Sequence, residues 1–190
     1  MSPEAERTQS VNTIILEDKT LVGYNTDVSG FESAIKRINY DFKKKKICIL
    51  GAGGVVPSLI FALNRMQVLD ITIVNRTRRK AEDLKIQFDN IKVIEWGNLP
   101  FFDVVINATS LGLNNEDINL NFSNVGSNKL FYDIIYNPSE TNFLKKGKKL
   151  GNQIENGKWM FIFQAFEAFK LWHRVNPEIT DETLKLLEND

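Results

Sequence analysis

Three glycines fall within four residues at Gly51-Ala52-Gly53-Gly54, with Val55 and Val56 next. They follow the apolar run Ile47-Cys48-Ile49-Leu50 and precede a stretch of helical periodicity. Strand, glycine turn and helix form an arrangement that receives a pyrophosphate. Gly51 permits the tight turn, and Gly53 has no side chain to keep an anion off the backbone. The helix N-terminus offers unpaired N–H groups and a partial positive charge. Val56 holds the third glycine position of the dinucleotide fingerprint, so the motif is imperfect. A glycine turn that merely packs is the alternative. Pro57 is tolerable because its missing N–H falls in the first helical turn.

The end of the next strand bears on which dinucleotide fits. Domains selective for NAD usually end this strand with an acid that grips the ribose 2′-hydroxyl. Here Ile71-Thr72-Ile73-Val74 runs into Asn75-Arg76-Thr77-Arg78-Arg79-Lys80, which holds no carboxylate. Guanidinium groups suit a 2′-phosphate through bidentate hydrogen bonds. Cations in a first helical turn also oppose the helix dipole, so they want an anionic partner. These residues favour NADP over NAD.

Other reactive side chains are few. Cys48, the single cysteine, sits in an apolar run and reads as a small buried hydrophobe. His173, the single histidine, reads as a surface residue near a helix end. No metal site is expected. The 24 basic and 24 acidic residues cancel, which gives no support to nucleic-acid binding. Hydrophobic residues make up 43%, enough for a core. No apolar stretch approaches the roughly 20 residues of a membrane span, and the opening residues are polar. A cytoplasmic protein is expected, with a small-molecule substrate and no nucleic-acid or membrane partner, as a monomer or homodimer.

The elements that must position these residues follow from periodicity. Val11 to Leu16 and Leu21 to Tyr24 read as strands, followed by a helix carrying Phe31, Ala34, Ile35 and Ile38. Asp27 stands just ahead of that helix, where it is able to cap free N–H groups. Further strands are expected at 47–50, 71–74, 91–95, 104–107 and 130–135, with helices at 55–66, 78–88, 160–175 and 181–188. That alternation predicts an α/β fold: a Rossmann-type, doubly wound parallel sheet. The polar, Asn-rich segment 114–128 is expected to be a mobile loop.

Several blocks together resemble shikimate dehydrogenases in order and spacing. They are Val11-Asn12-Thr13, Gly23-Tyr24-Asn25-Thr26-Asp27, Gly51-Ala52-Gly53-Gly54 and Asn75-Arg76-Thr77. Asn107-Ala108-Thr109-Ser110-Leu111-Gly112, Asp133-Ile134-Ile135-Tyr136-Asn137-Pro138, and Asn156-Gly157 followed by Gln164 continue the series. The resemblance implies NADPH-dependent, reversible reduction of 3-dehydroshikimate to shikimate. It makes Asp27 the catalytic aspartate, with Asn12, Asp27, Tyr136 and Gln164 on the substrate. It places Gly51, Ala52, Gly53, Gly54, Val55, Asn75, Arg76, Thr77 and Lys80 on the cofactor, together with Asn107, Thr109, Ser110, Ile134 and Gly157. It divides the chain into the remnant of an N-terminal substrate-binding domain (1–26), a connecting helix and linker (27–45), an NADP-binding domain (46–155) and C-terminal helices (156–190).

The sequence departs from that family in one respect. The Asn-Val-Thr-x-Pro-x-Lys block, whose lysine partners the aspartate, and the Ser-x-Ser pair for the substrate carboxylate do not occur. Lys19 and Lys36 stand in the wrong context to replace that lysine. The strands at 11–24 are therefore expected to expose an edge that invites self-association. Two alternatives stay open: an NADP-binding module without turnover, and a cousin acting on quinate.

Overall fold

The strand Lys46–Leu50 (β3) is buried along nearly its whole length, with side chains alternating between two apolar cores. A strand covered on both faces belongs inside a parallel sheet between helical layers. The computed structural model, which describes residues 1–186, shows that arrangement. Before the sheet come helix α1 (Pro3–Thr8), strands β1 (Thr13–Glu17) and β2 (Thr20–Tyr24), and helix α2 (Asp27–Ile38). After β3 come α3 (Val56–Arg65), β4 (Asp70–Asn75), α4 (Arg78–Gln87), β5 (Ile91–Glu95), β6 (Val104–Asn107) and β7 (Leu130–Asp133). The chain continues through α5 (Asn142–Lys149), β8 (Gln153–Glu155), α6 (Lys158–His173) and α7 (Asp181–Leu186).

The six-stranded sheet has the order β5-β4-β3-β6-β7-β8, and every pair is parallel. Chain order reverses between β3 and β6. In open α/β sheets, ligands bind at such a switch point, outside the carboxyl ends of the strands. Ile47, Ile49, Ile71, Ile73, Val104 and Ile106 point to one face, against apolar residues of α2 and α3. Cys48, Leu50, Val74, Val105 and Phe131 point to the other, against Phe143 and Leu144 of α5. Cys48 is fully buried and burial pushes its thiol far up, which removes it from nucleophilic chemistry.

Segment 114–128, expected as a mobile loop, lies as a strap across that second face. Ile118, Leu120 and Phe122 are buried there, and Phe122 packs edge-on to Phe143. The Glu116 carboxylate accepts from the Gly112 and Asn114 backbone N–H groups at 3.2 and 2.9 Å. Three elements found in the fold were not expected from the sequence: α1, α5 and β8. The expected final helix extends to position 188; its residues beyond 186 lie outside the described ones.

β1 and β2 form a separate antiparallel hairpin, with Thr13 opposite Tyr24 and Glu17 opposite Thr20. Among the described residues it pairs with no other strand. It leaves Ile14, Leu16 and Leu21 exposed. The Trp172 indole of α6 donates to the Ile14 carbonyl at 3.1 Å.

Candidate active site

At the carboxyl ends of β3, β4 and β6 the chain makes a cleft of about 660 Å³. Gly51, Ala52 and Gly53 form its floor, and Asn75, Arg76, Thr77 and Lys80 one side. Thr109 and Ser110 form the other side and also line a second cleft of about 420 Å³. That second cleft is bounded by Gly53, Gly54, Val55, Ile134 and Tyr136. A wider groove of about 930 Å³ runs on from Ala52 and Lys80 between α1 and α4, away from the switch point.

Glycine is required at position 51. Its φ is +109°, and an added Cβ would stand 2.7 Å from the Ala108 carbonyl oxygen. At Gly53 the nearest atom to an added Cβ is 3.9 Å away, and at Gly54 nothing lies within 4 Å. The turn therefore leaves open space in front of the N-terminus of α3, as a pyrophosphate needs.

The cations after β4 divide by partner. Arg78 reaches Glu82 at 3.3 Å and Glu95 at 3.2 Å. The anionic partner expected for this helix start is, for Arg78, supplied by the protein itself. Arg76 and Lys80 are exposed on the cleft and, among the described residues, make no ion pair. The Asn75 amide donates to the Thr77 carbonyl at 2.8 Å, which fixes the bend that presents Arg76.

Two expected cofactor contacts sit elsewhere. Asn107 is fully buried, and its side chain is spent on protein partners, so it stands behind the cleft wall rather than in it. Gly157 is also out of the wall. Its N–H donates to the Ile135 carbonyl at 3.0 Å, and a Cβ there would collide with the Ile134 carbonyl oxygen. The close backbone approach at Gly157 seats Ile134, which does line the second cleft.

The proposed substrate residues gather around the start of α2. Asp27 is the first residue of that helix, and its carboxylate is not the cap. Asn25 does that work, accepting from the Asp27 backbone N–H at 3.0 Å. Asn25 also donates to Thr8 and to Ser58 of α3, both at 2.9 Å, so it ties Asp27 to the phosphate-facing helix. The Asp27 carboxylate instead accepts from the Asn12 amide at 3.0 Å. Burial raises the pKa of Asp27, and the Asn12 hydrogen bond opposes that rise. The Asn12 carbonyl oxygen accepts from the Thr26 backbone N–H at 3.0 Å and the Thr26 hydroxyl at 3.2 Å. Thr26 Oγ1 lies 3.5 Å from Gln164 Oε1, and the Gln164 amide donates to the Phe161 carbonyl. Phe161, one turn before Gln164 on α6, stacks on Tyr136 with ring centres 4.5 Å apart. Asn12, Asp27 and Gln164 thus form one chain of contacts through Thr26, and α6 links it to Tyr136.

The structure adds Trp96, Asp117 and Asn119 to the wall of the larger cleft. The available signal for Trp96 was its place just after a strand, at the sheet edge where ligands bind. His173 lines neither cleft and packs at a tilt against Phe169.

Comparison with known proteins gives a consistent answer. A family model described as shikimate / quinate 5-dehydrogenase matches residues 32–136. The NADP(+) shikimate dehydrogenase of Pelagibacter ubique is 50% identical over 99% of this chain and 71% of its own length. That of Caldicellulosiruptor saccharolyticus is 40% identical over 90% of this chain and 65% of its own length. The crystal structure of shikimate dehydrogenase from Aquifex aeolicus superposes with a TM-score of 0.84 at 33% identity, covering 98% of this chain and 69% of that one. The chain therefore spans about two thirds of the length of these relatives. By the matched family model and by this level of identity, it belongs to the shikimate/quinate dehydrogenase family.

Proposed function

We propose that this chain carries the NADPH site and the acid–base aspartate of a shikimate dehydrogenase, which reversibly reduces 3-dehydroshikimate to shikimate on the route to chorismate and aromatic amino acids. The observation that carries the reading is the switch-point cleft, with an open glycine turn on its floor and, on its side, Arg76 and Lys80, which make no ion pair among the described residues. The names of the relatives support it, since both include NADP(+). When bound, the reduced nicotinamide supplies the hydride.

The chain's own residues divide the remaining work. Arg76 and Lys80 hold the 2′-phosphate, with Thr77 beside them. Gly51 to Val55 admit the pyrophosphate to the backbone of the turn. Thr109, Ser110 and Ile134 bound the end where the nicotinamide lies. A ketone that receives hydride at carbon gathers negative charge on oxygen and needs a proton there. Asp27, fixed by Asn12 and partly withdrawn from water, holds the substrate hydroxyl through which that proton moves. Asn12, Gln164 and Tyr136 meet the other hydroxyls, and a site built from such bonds rejects analogues lacking them.

The lysine that the resemblance pairs with Asp27 has no counterpart in these 190 residues. In our reading, proton delivery depends on a group supplied from outside them, and these residues alone bind NADPH without turnover. Residues 1–26 then belong with the substrate domain, 27–45 connect, 46–155 bind cofactor, and 156–190 return toward the substrate. Quinate is the second substrate to test, because the family description names both. Water-soluble substrate and cofactor support a cytoplasmic setting; monomer or homodimer is the proposed state.

The test is NADPH binding by fluorescence, beside NADPH oxidation with 3-dehydroshikimate and, in the reverse direction, NADP+ reduction with quinate. Binding without turnover is expected. Turnover by the 190 residues alone overturns the account of proton delivery; absence of NADPH binding overturns the reading of the cleft.

A further inference from the structure

The strongest unassigned group in the molecule is the carboxylate of Asp133, the last residue of β7. It is fully buried and has no cation beside it among the described residues, yet it collects three donors from three segments. Oδ1 accepts from the Asn107 amide and from the Ile135 backbone N–H, both at 3.0 Å. Oδ2 accepts from the Thr141 hydroxyl at 2.6 Å. Asn107 passes the constraint on: its carbonyl oxygen takes the Thr109 backbone N–H at 3.1 Å and the Thr109 hydroxyl at 2.7 Å. Its amide also reaches the Leu111 carbonyl at 3.1 Å. Thr141 is the N-cap of α5 and fixes where the chain returns to the sheet.

The consequence lies at the second cleft. Thr109, Ser110, Ile134, Ile135 and Tyr136 line it; Ile135 is buried and Ile134 packs against the core, while Ser110 and Tyr136 are exposed. Their two loops are joined through one carboxylate and one amide behind them. Burying a carboxylate without a cation carries a desolvation cost. A three-donor node that fits one relative placement of the two loops offsets part of that cost.

We propose that Asp133 is a positioning residue for the nicotinamide end of the cofactor, setting through Asn107, Ile135 and Thr141 the spacing of the walls that receive it. This rests on the reading of the cleft as an NADPH site. Arg76 and Lys80, which hold the adenosine end on the β4 side, make no hydrogen bond or ion pair with the node among the described residues; the node meets that cleft only at its opposite wall, through Thr109 and Leu111.

The experiment compares two probes on the intact 190-residue chain: NADPH, and 2′,5′-ADP, which occupies only the adenosine end. Asp133→Ala leaves three buried donors without an acceptor. It is expected to weaken NADPH about tenfold, with 2′,5′-ADP changed by less than about twofold. Asp133→Asn is expected to restore NADPH to within about threefold of wild type, because its Oδ1 keeps two donors and the Thr141 hydroxyl turns to accept from the new amide. Thr141→Val removes one donor outside the clefts and should give a partial loss of NADPH alone, so it decides the matter if Asp133→Ala does not fold. Equal loss of both probes in these variants, or loss of neither, overturns the proposal while leaving the NADPH reading intact. A wild-type chain that binds neither probe removes the NADPH reading, and this inference with it.

Discussion

The six-stranded sheet and the two-stranded hairpin are both β-structure, and they hold their functional residues by different means. The sheet is apolar on both faces and covered on both, and its loops emerge from an enclosed core. Its cleft is shaped by backbone turns and by a buried polar node. The hairpin has Ile14, Leu16 and Leu21 turned to solvent. The Asp27 cluster beside it is placed by side-chain hydrogen bonds from Asn12, Asn25 and Thr26. The two clefts are thus walled by the sheet's own loops, while the Asp27 cluster, the proposed substrate half, is held from one side. On the proposed function, cofactor binding and turnover are separable properties of this chain.

The comparison breaks most visibly in the core. Ile49 is fully exposed to packing and not at all to water, in the central strand β3. Ile49→Ala should cost about 3 kcal/mol in denaturant unfolding. A loss under about 1 kcal/mol would mean that the sheet is not the rigid partner described here. The Asp133 node comes next. Burial raises this carboxyl to about 6, with the three hydrogen bonds opposing. Its unfolded value is near 3.9. A carboxyl raised in the folded state favours folding in its protonated form. That contribution is fully present below the unfolded value and is lost as pH rises through about 6. The stability of wild type relative to Asp133→Asn should therefore fall between pH 4 and 7, by an amount on the order of 2 kcal/mol. A flat difference across that range would show that the carboxylate is not desolvated.

Arg76→Ala tests the cofactor side directly. Loss of a charge-assisted contact at an exposed position should weaken NADPH about tenfold and leave NADH within about twofold. Equal weakening of both would remove the case for a 2′-phosphate site at this position.

Much of this was legible in the residue pattern, for reasons that vary by element. Ile91–Glu95 and Val104–Asn107 were bounded correctly because short apolar runs between polar turns leave little choice. Segment 114–128 is a loop, as expected, but the burial of its apolar side chains went unread because its composition is polar. Its signal was the alternation Ile118, Leu120, Phe122 with Asn119 and Asn121 between them, the period of one buried face. Helix α5 was missed since Asn142-Phe143-Leu144-Lys145-Lys146-Gly147-Lys148-Lys149 offers two large apolar residues and a glycine. Thr141 at its cap was the usable clue. Asn107 was expected at the cofactor because its block matches the family. Whether such an amide faces ligand or core depends on partners 26 residues away, and local sequence does not carry that.

The smallest expected effect belongs to the hairpin, and it sharpens the contrast with Ile49. Leu21 is 73% exposed on β2, so its side chain has little burial to lose. Leu21→Lys should change unfolding stability by less than about 0.5 kcal/mol. It should also leave NADPH affinity unchanged, because no residue of the hairpin lines either of the two clefts. What it should alter is association between molecules, since a charge on an exposed β-edge discourages pairing. Sedimentation at rising concentration reads this directly. A large loss of stability in Leu21→Lys would mean that the hairpin face is covered in the working protein, and that the substrate half of the site is held from both sides after all.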